Sequence, residues 1–203
     1  MNKIKKDNTE DKILDAAQTV FIQKGMDGTR MQEIADEAGI NKSLLHYYFR
    51  NKQKLFEAIF KKVFSQIFPH FTTFTESTLP FESKLEIFVD RYVEFLLKNQ
   101  FLPIFILKEI NRDPEFLVTT FKNLGINPGE FFLMLEKEME SGKIRKMDPR
   151  DLLVNVLGLC IFPFAAKPLM KIMFFDNDKK AYNDFLIQRK TTIKEFILNS
   201  ILL

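Results

Sequence analysis

Residues 29–55 read Thr-Arg-Met-Gln-Glu-Ile-Ala-Asp-Glu-Ala-Gly-Ile-Asn-Lys-Ser-Leu-Leu-His-Tyr-Tyr-Phe-Arg-Asn-Lys-Gln-Lys-Leu, and this stretch decides the fold. It divides into a helix, a tight turn and a second short helix. Met31, Ile34, Ala35 and Ala38 recur at helical spacing. Thr29 stands where a hydroxyl would cap the first turn, with Gln32 three residues on as in a capping box. Gly39 then ends the helix, because glycine enters the left-handed conformation without steric cost. Asn41 is a good cap for the next helix. Ala35, Gly39 and Leu45 thus have the spacing of a helix-turn-helix: a small residue where two helices approach, a glycine in the turn, and an apolar anchor under the second helix.

The second helix separates into two faces. Leu45 and Phe49 lie four apart, with Leu44 and Tyr48 beside them, and form the inward stripe; Lys42, Ser43, His46, Tyr47 and Arg50 form the outward one. The outward stripe carries hydrogen-bond donors, cations and an aromatic edge, groups suited to phosphate and base contacts in the major groove of DNA. An ordinary solvated face beside a structural hairpin would look much the same. Charge favours the DNA reading. Residues 41–62 hold six Lys or Arg against the single acid Glu57, and residues 1–62 hold twelve basic against nine acidic groups, while the rest of the chain is balanced. The whole net charge of +3 therefore belongs to the N-terminal third, where a polyanion would dock.

From Ile13-Leu14-Asp15-Ala16-Ala17 through Phe21, Lys24-Gly25, Thr29, Ile34-Ala35, Ala38-Gly39-Ile40, Leu45, Tyr48-Phe49, Lys52 and Leu55, the chain resembles the DNA-binding domain of the TetR/AcrR family of bacterial regulators. The resemblance covers roughly residues 9–60. It implies a three-helix helix-turn-helix domain, a long connecting helix, and an all-helical C-terminal domain that dimerises and binds a small molecule. It further implies that Thr29 and Arg30 touch phosphate from the start of the supporting helix. On the same footing Lys42, Ser43 and Tyr47 lie at reading or backbone positions, and Tyr48 and Lys52 at backbone-contact positions. The family usually has a second small hydroxyl residue where Arg30 stands, Gly or Ala where Ser43 stands, and Tyr where His46 stands. Its default activity is repression at a pseudo-palindromic operator, with release by an effector.

The remainder reads as all-α, in two domains: a helix-turn-helix DNA-binding domain over 1–50 and a helical ligand-binding and dimerisation domain over 51–203. All eight prolines lie at or after position 69. Asn51 caps a long fourth helix that could kink or end near Pro69. Further helices are expected at 82–98, 103–111, 114–123, 128–142, 149–173 and 179–202. Asp113-Pro114, Asn127-Pro128 and Asp148-Pro149 each supply a capping residue followed by proline at the first helical position. The basic start Met-Asn-Lys-Ile-Lys-Lys reads as a short flexible arm. Residues 152–166 are apolar almost all round, but Asn155, Pro163 and a length below the roughly 18 residues of a membrane span favour a buried helix. That helix and the last one, with its wide stripe of Tyr182, Phe185, Leu186, Ile193, Phe196, Ile197 and Ile201, match the family's two-fold four-helix interface, so a homodimer through 149–173 and 179–202 is expected.

Nineteen of the 23 phenylalanines follow residue 62. A cavity lined by Phe64, Phe68, Phe105 and Phe131 would suit a small hydrophobic effector, though aromatic residues are equally ordinary core filling. There is no phosphate-binding glycine loop, no nucleophile–base constellation and no Cys-x-x-Cys or His-x-x-x-His spacing, so neither an enzyme, a cofactor nor a metal site is expected. Cys160, the single cysteine, lies in apolar surroundings that should raise its pKa. The lone cysteine and the lack of a secretory start point to the cytoplasm.

Overall fold

The computed structural model describes the backbone of residues 2–76 and 78–203, and the side chains of residues 8–66, 74 and 78–203. Eleven helices are found among them: α1 (Asn2–Gly28), α2 (Met31–Glu37), α3 (Lys42–Tyr48), α4 (Lys52–Glu76), α5 (Phe81–Lys98), α6 (Leu102–Arg112), α7 (Pro114–Asn123), α8 (Pro128–Glu140), α9 (Pro149–Ala165), α10 (Lys167–Phe175) and α11 (Lys179–Ile201). No strand occurs among the described residues; one isolated antiparallel bridge joins Ile144 to Leu202. The basic start of the chain is helical from Asn2, not an arm. The fourth helix continues past position 69 to Glu76. Two compact units result, one of Met1–Gln66 with Lys108–Thr120 and one of Ile67–Leu107 with Phe121–Leu203. The first extends beyond residue 50 and takes in a later stretch of the chain.

In the first unit, Ile13, Ala17 and Phe21 of α1, Ile34 and Ala35 of α2, Leu45 of α3, and Leu55, Phe56 and Ile59 of α4 are all 0–2% exposed. Burying each of the larger side chains stabilises by about 1.5–3 kcal/mol. Phe56 lies at the centre, edge-on to Phe21 at 5.6 Å and tilted against Phe116 at 5.7 Å. The 108–120 segment joins this unit through Phe116 and an ion pair. Buried Glu109 receives Arg112 NH2 at 2.6 Å, and the guanidinium sits 5.9 Å from the centre of the Phe56 ring.

The turn between α2 and α3 is built from backbone hydrogen bonds. Ile40 N–H donates to the Ala35 carbonyl at 3.0 Å and Gly39 N–H to the Asp36 carbonyl at 3.1 Å, the paired bonds of a Schellman termination. They require Gly39 to hold φ at +64°. The Asn41 side chain then accepts from Leu44 N–H at 2.8 Å and starts α3. The expected cap of α2 is shifted by one residue. Arg30, not Thr29, occupies the N-cap, and Glu33 rather than Gln32 reaches back, accepting from Arg30 N–H at 2.9 Å. The Thr29 hydroxyl donates instead to the Gly25 carbonyl at 2.7 Å, at the point where Gly25 turns α1 out of helical geometry with φ +72°.

In the second unit α5, α9 and α11 pack on one another. Lys190 pairs with Glu94 at 2.8 Å and Lys194 with Asp90 at 3.0 Å across the α11–α5 contact. The wide stripe of α11 divides: Tyr182, Leu186, Ile193, Ile197 and Ile201 are buried, whereas Phe196 is 63% exposed. The helix expected over 149–173 is two helices, bent by 74° at Ala166. Pro168 explains the break, because its ring would clash with the carbonyl one turn back in a continuous helix and it offers no N–H. Pro163, inside α9, likewise leaves the Leu159 carbonyl without its helical donor, and Arg189 of α11 supplies one at 3.1 Å. The Tyr182 hydroxyl donates to the Pro163 carbonyl. Among the described residues no single helix is long and apolar enough to cross a membrane.

No atom lies within 4 Å of a β-carbon placed on Gly39, so a substitution there is opposed by backbone conformation alone. Gly39→Ala should lower stability by about 1–2 kcal/mol, and Gly39→Asn by less, since Asn visits the left-handed region more readily. Urea unfolding followed by circular dichroism measures both; equal stability of all three proteins would contradict the left-handed turn.

Candidate nucleic-acid interface

Helix α3 has only seven residues, so its aim is set by what lies beneath it. Leu45 is fully buried and Phe49, its C-cap, is 7% exposed. Leu44 and Tyr48 are half-buried on either side. With that face fixed, Lys42, Ser43, His46, Tyr47 and Arg50 all come out exposed. Tyr47 is 73% exposed, and its ring stands edge-on to Tyr48 at 5.5 Å. His46 Nδ1 lies 3.2 Å from the Arg50 carbonyl, which fixes the ring at the end of the helix with its other nitrogen turned elsewhere.

The structure sorts the cations of this region. Lys62 bridges Asp11 and Asp15 of α1 at 2.8 and 3.3 Å, and Lys54 pairs with Glu57 at 2.6 Å. Lys24 pairs with Glu33 at 2.6 Å, and that hydrogen bond, helped by Arg30 N–H, holds the Glu33 carboxyl below its usual range. Lys42 and Arg50 have no carboxylate partner among the described residues. Lys42 on α3 and Arg50 just beyond it are thus among the cations left for a polyanion. Arg50 belongs with the candidate contacts, and its place on the outward stripe is the sequence signal for it.

Two of the residues expected to touch DNA are engaged inside the domain. Thr29 is 3% exposed, with its hydroxyl on the Gly25 carbonyl. Lys52 is half-buried and donates to the carbonyls of Thr29 at 3.0 Å and Asp27 at 3.2 Å. It thereby ties the start of α4 to the α1–α2 turn, with one of its three N–H groups left over. Arg30 remains exposed at the start of α2.

The phenylalanines expected to line an effector cavity have separate settings. Phe64, of the first unit, stacks on Phe60 at 5.0 Å. In the second unit, Phe105 lies 6.5 Å from Phe101 and Phe131 lies 5.5 Å from Phe74. The side chain of Phe68 lies outside the described residues. An open groove of about 550 Å³ in the second unit is lined by Phe132, Glu136, Asp148, Pro149 and Arg150, and includes none of these four. Cys160 is buried as expected, and burial pushes its thiol up to about 12.

A capped two-helix unit with a buried anchor and an exposed face of unpaired cations and aromatic groups defines a helix-turn-helix DNA-binding protein. Comparison with known proteins agrees. Residues 13–59 match the family model described as bacterial regulatory proteins, tetR family. The regulator RutR of Escherichia coli (strain K12) is 26% identical over 149 residues, spanning 71% of this chain and 68% of RutR. IcaR of Staphylococcus aureus (strain Newman), a negative transcriptional regulator of the biofilm operon icaADBC, is 40% identical over 58 residues, spanning 29% of this chain and 31% of IcaR. In fold, the chain matches the crystal structure of the transcriptional regulator FadR from Bacillus subtilis in complex with stearoyl-CoA, with a TM-score of 0.68 over 93% of this chain and 97% of that one; at 18% identity the likeness concerns the fold alone. Residues 13–59 thus form a DNA-binding domain of the kind found in the tetR family of bacterial regulatory proteins.

The different settings of Lys42 and Lys52 give different expectations. Lys42→Ala should leave stability unchanged and reduce the slope of log affinity for DNA against log salt by about one unit. Lys52→Met should lower stability by about 1–2 kcal/mol through loss of charged hydrogen bonds to two carbonyls. Fluorescence anisotropy across a salt series and thermal unfolding of each variant check the pair. A Lys42 variant with an unaltered slope, or a Lys52 variant of unaltered stability, would contradict its assignment.

Proposed function

We propose that the protein is a cytoplasmic homodimeric repressor that binds a pseudo-palindromic operator and is released by a small hydrophobic effector. The observation that carries the reading is the outward face of α3, where Lys42, Ser43, His46, Tyr47 and Arg50 stand exposed over the buried Leu45 and Phe49. In the complex Lys42 and Arg50 meet phosphates, Ser43, His46 and Tyr47 meet base edges or backbone, and Arg30 adds a phosphate contact from α2. Tyr48 supports Tyr47 and touches the backbone. Thr29 and Lys52 act chiefly by positioning, with the remaining Lys52 N–H directed to phosphate.

A dimer places its two α3 helices about one DNA turn, roughly 34 Å, apart in successive major grooves. Support for the dimer lies on α9, α10 and α11, where Phe162, Leu169, Ile172, Phe174 and Phe196 are each 60–68% exposed. Such a concentration of exposed large apolar groups marks an interaction surface. Effector binding in the second unit, coupled to the heads through α4, favours a separation that no longer fits the operator, with a coupling of about 1–3 kcal/mol. Both compact units share that helix, since the division between them falls at residues 66 and 67.

Tyr47→Ala tests the reading face. It should cost about 1–3 kcal/mol of affinity for an operator selected from random DNA while sparing non-specific binding. Equal losses on both DNAs would assign the ring to the backbone, and no loss on either would remove α3 from the interface.

Phe196→Glu tests the assembly. The side chain is already exposed, so the subunit should fold normally. Light scattering should show the mass halved, and operator affinity should fall with it. A variant of unchanged mass would place the interface elsewhere.

A further inference from the structure

We propose that Lys84 is the anion anchor of the effector site, and that the effector is an apolar molecule with a carboxylate head. The proposal rests on the hydrophobic-effector reading above and adds the charge the ligand must carry. Among the described residues two charged side chains are buried, Lys84 at 8% exposure and Glu109 at 3%. Their situations are opposite. Glu109 is answered by Arg112 at 2.6 Å. The Lys84 ammonium has Met134 Sδ, at 4.0 Å, as its hydrogen-bonding neighbour, and no carboxylate within ion-pair distance among the described residues. A thioether is a weak acceptor and carries no charge to offset the ammonium. A lysine with 8% of its surface exposed and no oxygen partner is costly to hold, and a fold with no other use for it would lose nothing by having an apolar residue there.

The surroundings say what would complete it. Phe81 and Phe88 lie one turn before and one turn after Lys84 on α5, so the three share a face. Both phenylalanine rings meet Phe74 edge-on, at 6.1 and 5.7 Å. Phe131, one turn before Met134 on α8, lies 5.5 Å from the same Phe74. Lys84 therefore shares its helical face with members of an aromatic cluster contributed by α4, α5 and α8 within the second unit. An aliphatic or aromatic body would find apolar contact there. A carboxylate would supply the charge-assisted hydrogen bonds the ammonium lacks.

The test compares the full-length protein with Lys84→Met, which keeps the length of the side chain and removes its charge, and with Lys84→Arg, which keeps the charge. Calorimetric titration uses octanoate, dodecanoate and palmitate, each against its matched alcohol. The parent should bind the best carboxylate about ten-fold or more tightly than its alcohol, the difference between a charged hydrogen bond and a neutral one. The methionine variant should lose that preference while binding the alcohol as the parent does, and the arginine variant should retain it. Without ligand, the methionine variant should melt at or above the parent temperature, because no ion pair is broken. Equal binding of acid and alcohol by the parent, a preference that survives in Lys84→Met, or a methionine variant that melts several degrees lower would overturn the anchor while leaving an apolar site standing. Failure of every acid and every alcohol to bind the parent would overturn the hydrophobic-effector reading itself, and the anchor with it.

Discussion

Two turns of helix are too few to hold their shape in water, and the reading unit of this protein consists of two such pieces. Nucleation is costly, and isolated helices below about 12–15 residues are marginal. With seven residues each, α2 and α3 owe their existence to what closes their ends and what lies under them. The glutamate of Glu33 closes the start of α2, the paired backbone bonds at Gly39 and Ile40 close its end, and the Asn41 amide opens α3. Ile34, Ala35 and Leu45 then bury the inner sides completely. Everything exposed on α3 inherits its direction from these few contacts.

This local character explains how much was legible in the sequence. End-closing residues act on atoms three or four positions away, so Gly39, Asn41, Asn51 and the Asp/Asn-Pro starts of α7, α8 and α9 could be read without any tertiary knowledge. The shift of the α2 cap from Thr29 to Arg30 had a different origin. The threonine hydroxyl found an acceptor upstream, where Gly25 turns the chain out of helical geometry. The break at Ala166 was in principle visible, because Pro168 follows Pro163 by five positions, but the apolar run through both masks it. Lys52 could not have been assigned from sequence. Its carbonyl partners lie 23 and 25 residues away, and a lysine beside a reading helix looks the same whether it faces phosphate or backbone.

The distribution of cations teaches a related point. A count of lysines and arginines gives the sign of the field but not its location, since Lys24, Lys54 and Lys62 are paired within the domain. The Lys62 and Lys24 pairs link α1 to α4 and to α2, the Lys54 pair lies within α4, and exposed pairs of this kind contribute modestly to stability. What remains for a polyanion includes Lys42 and Arg50 on the outward face at α3 and Arg30 at the start of α2. Among the phenylalanines the reverse holds: the sequence singles out Phe64, Phe105 and Phe131, and only the structure shows that each already has an aromatic neighbour.

The proline inside α9 has an effect beyond the helix that contains it. Two main-chain carbonyls of α9, at Leu159 and Pro163, take their hydrogen atoms from side chains of α11. Apolar surfaces tolerate sliding, because one methyl contact replaces another. Hydrogen bonds to fixed carbonyls do not, and a displacement of one helical residue, about 1.5 Å, would strand both acceptors. The α9–α11 pair is therefore interlocked like a ratchet with its pawl engaged, and whatever compliance the second unit possesses must come from its other helices.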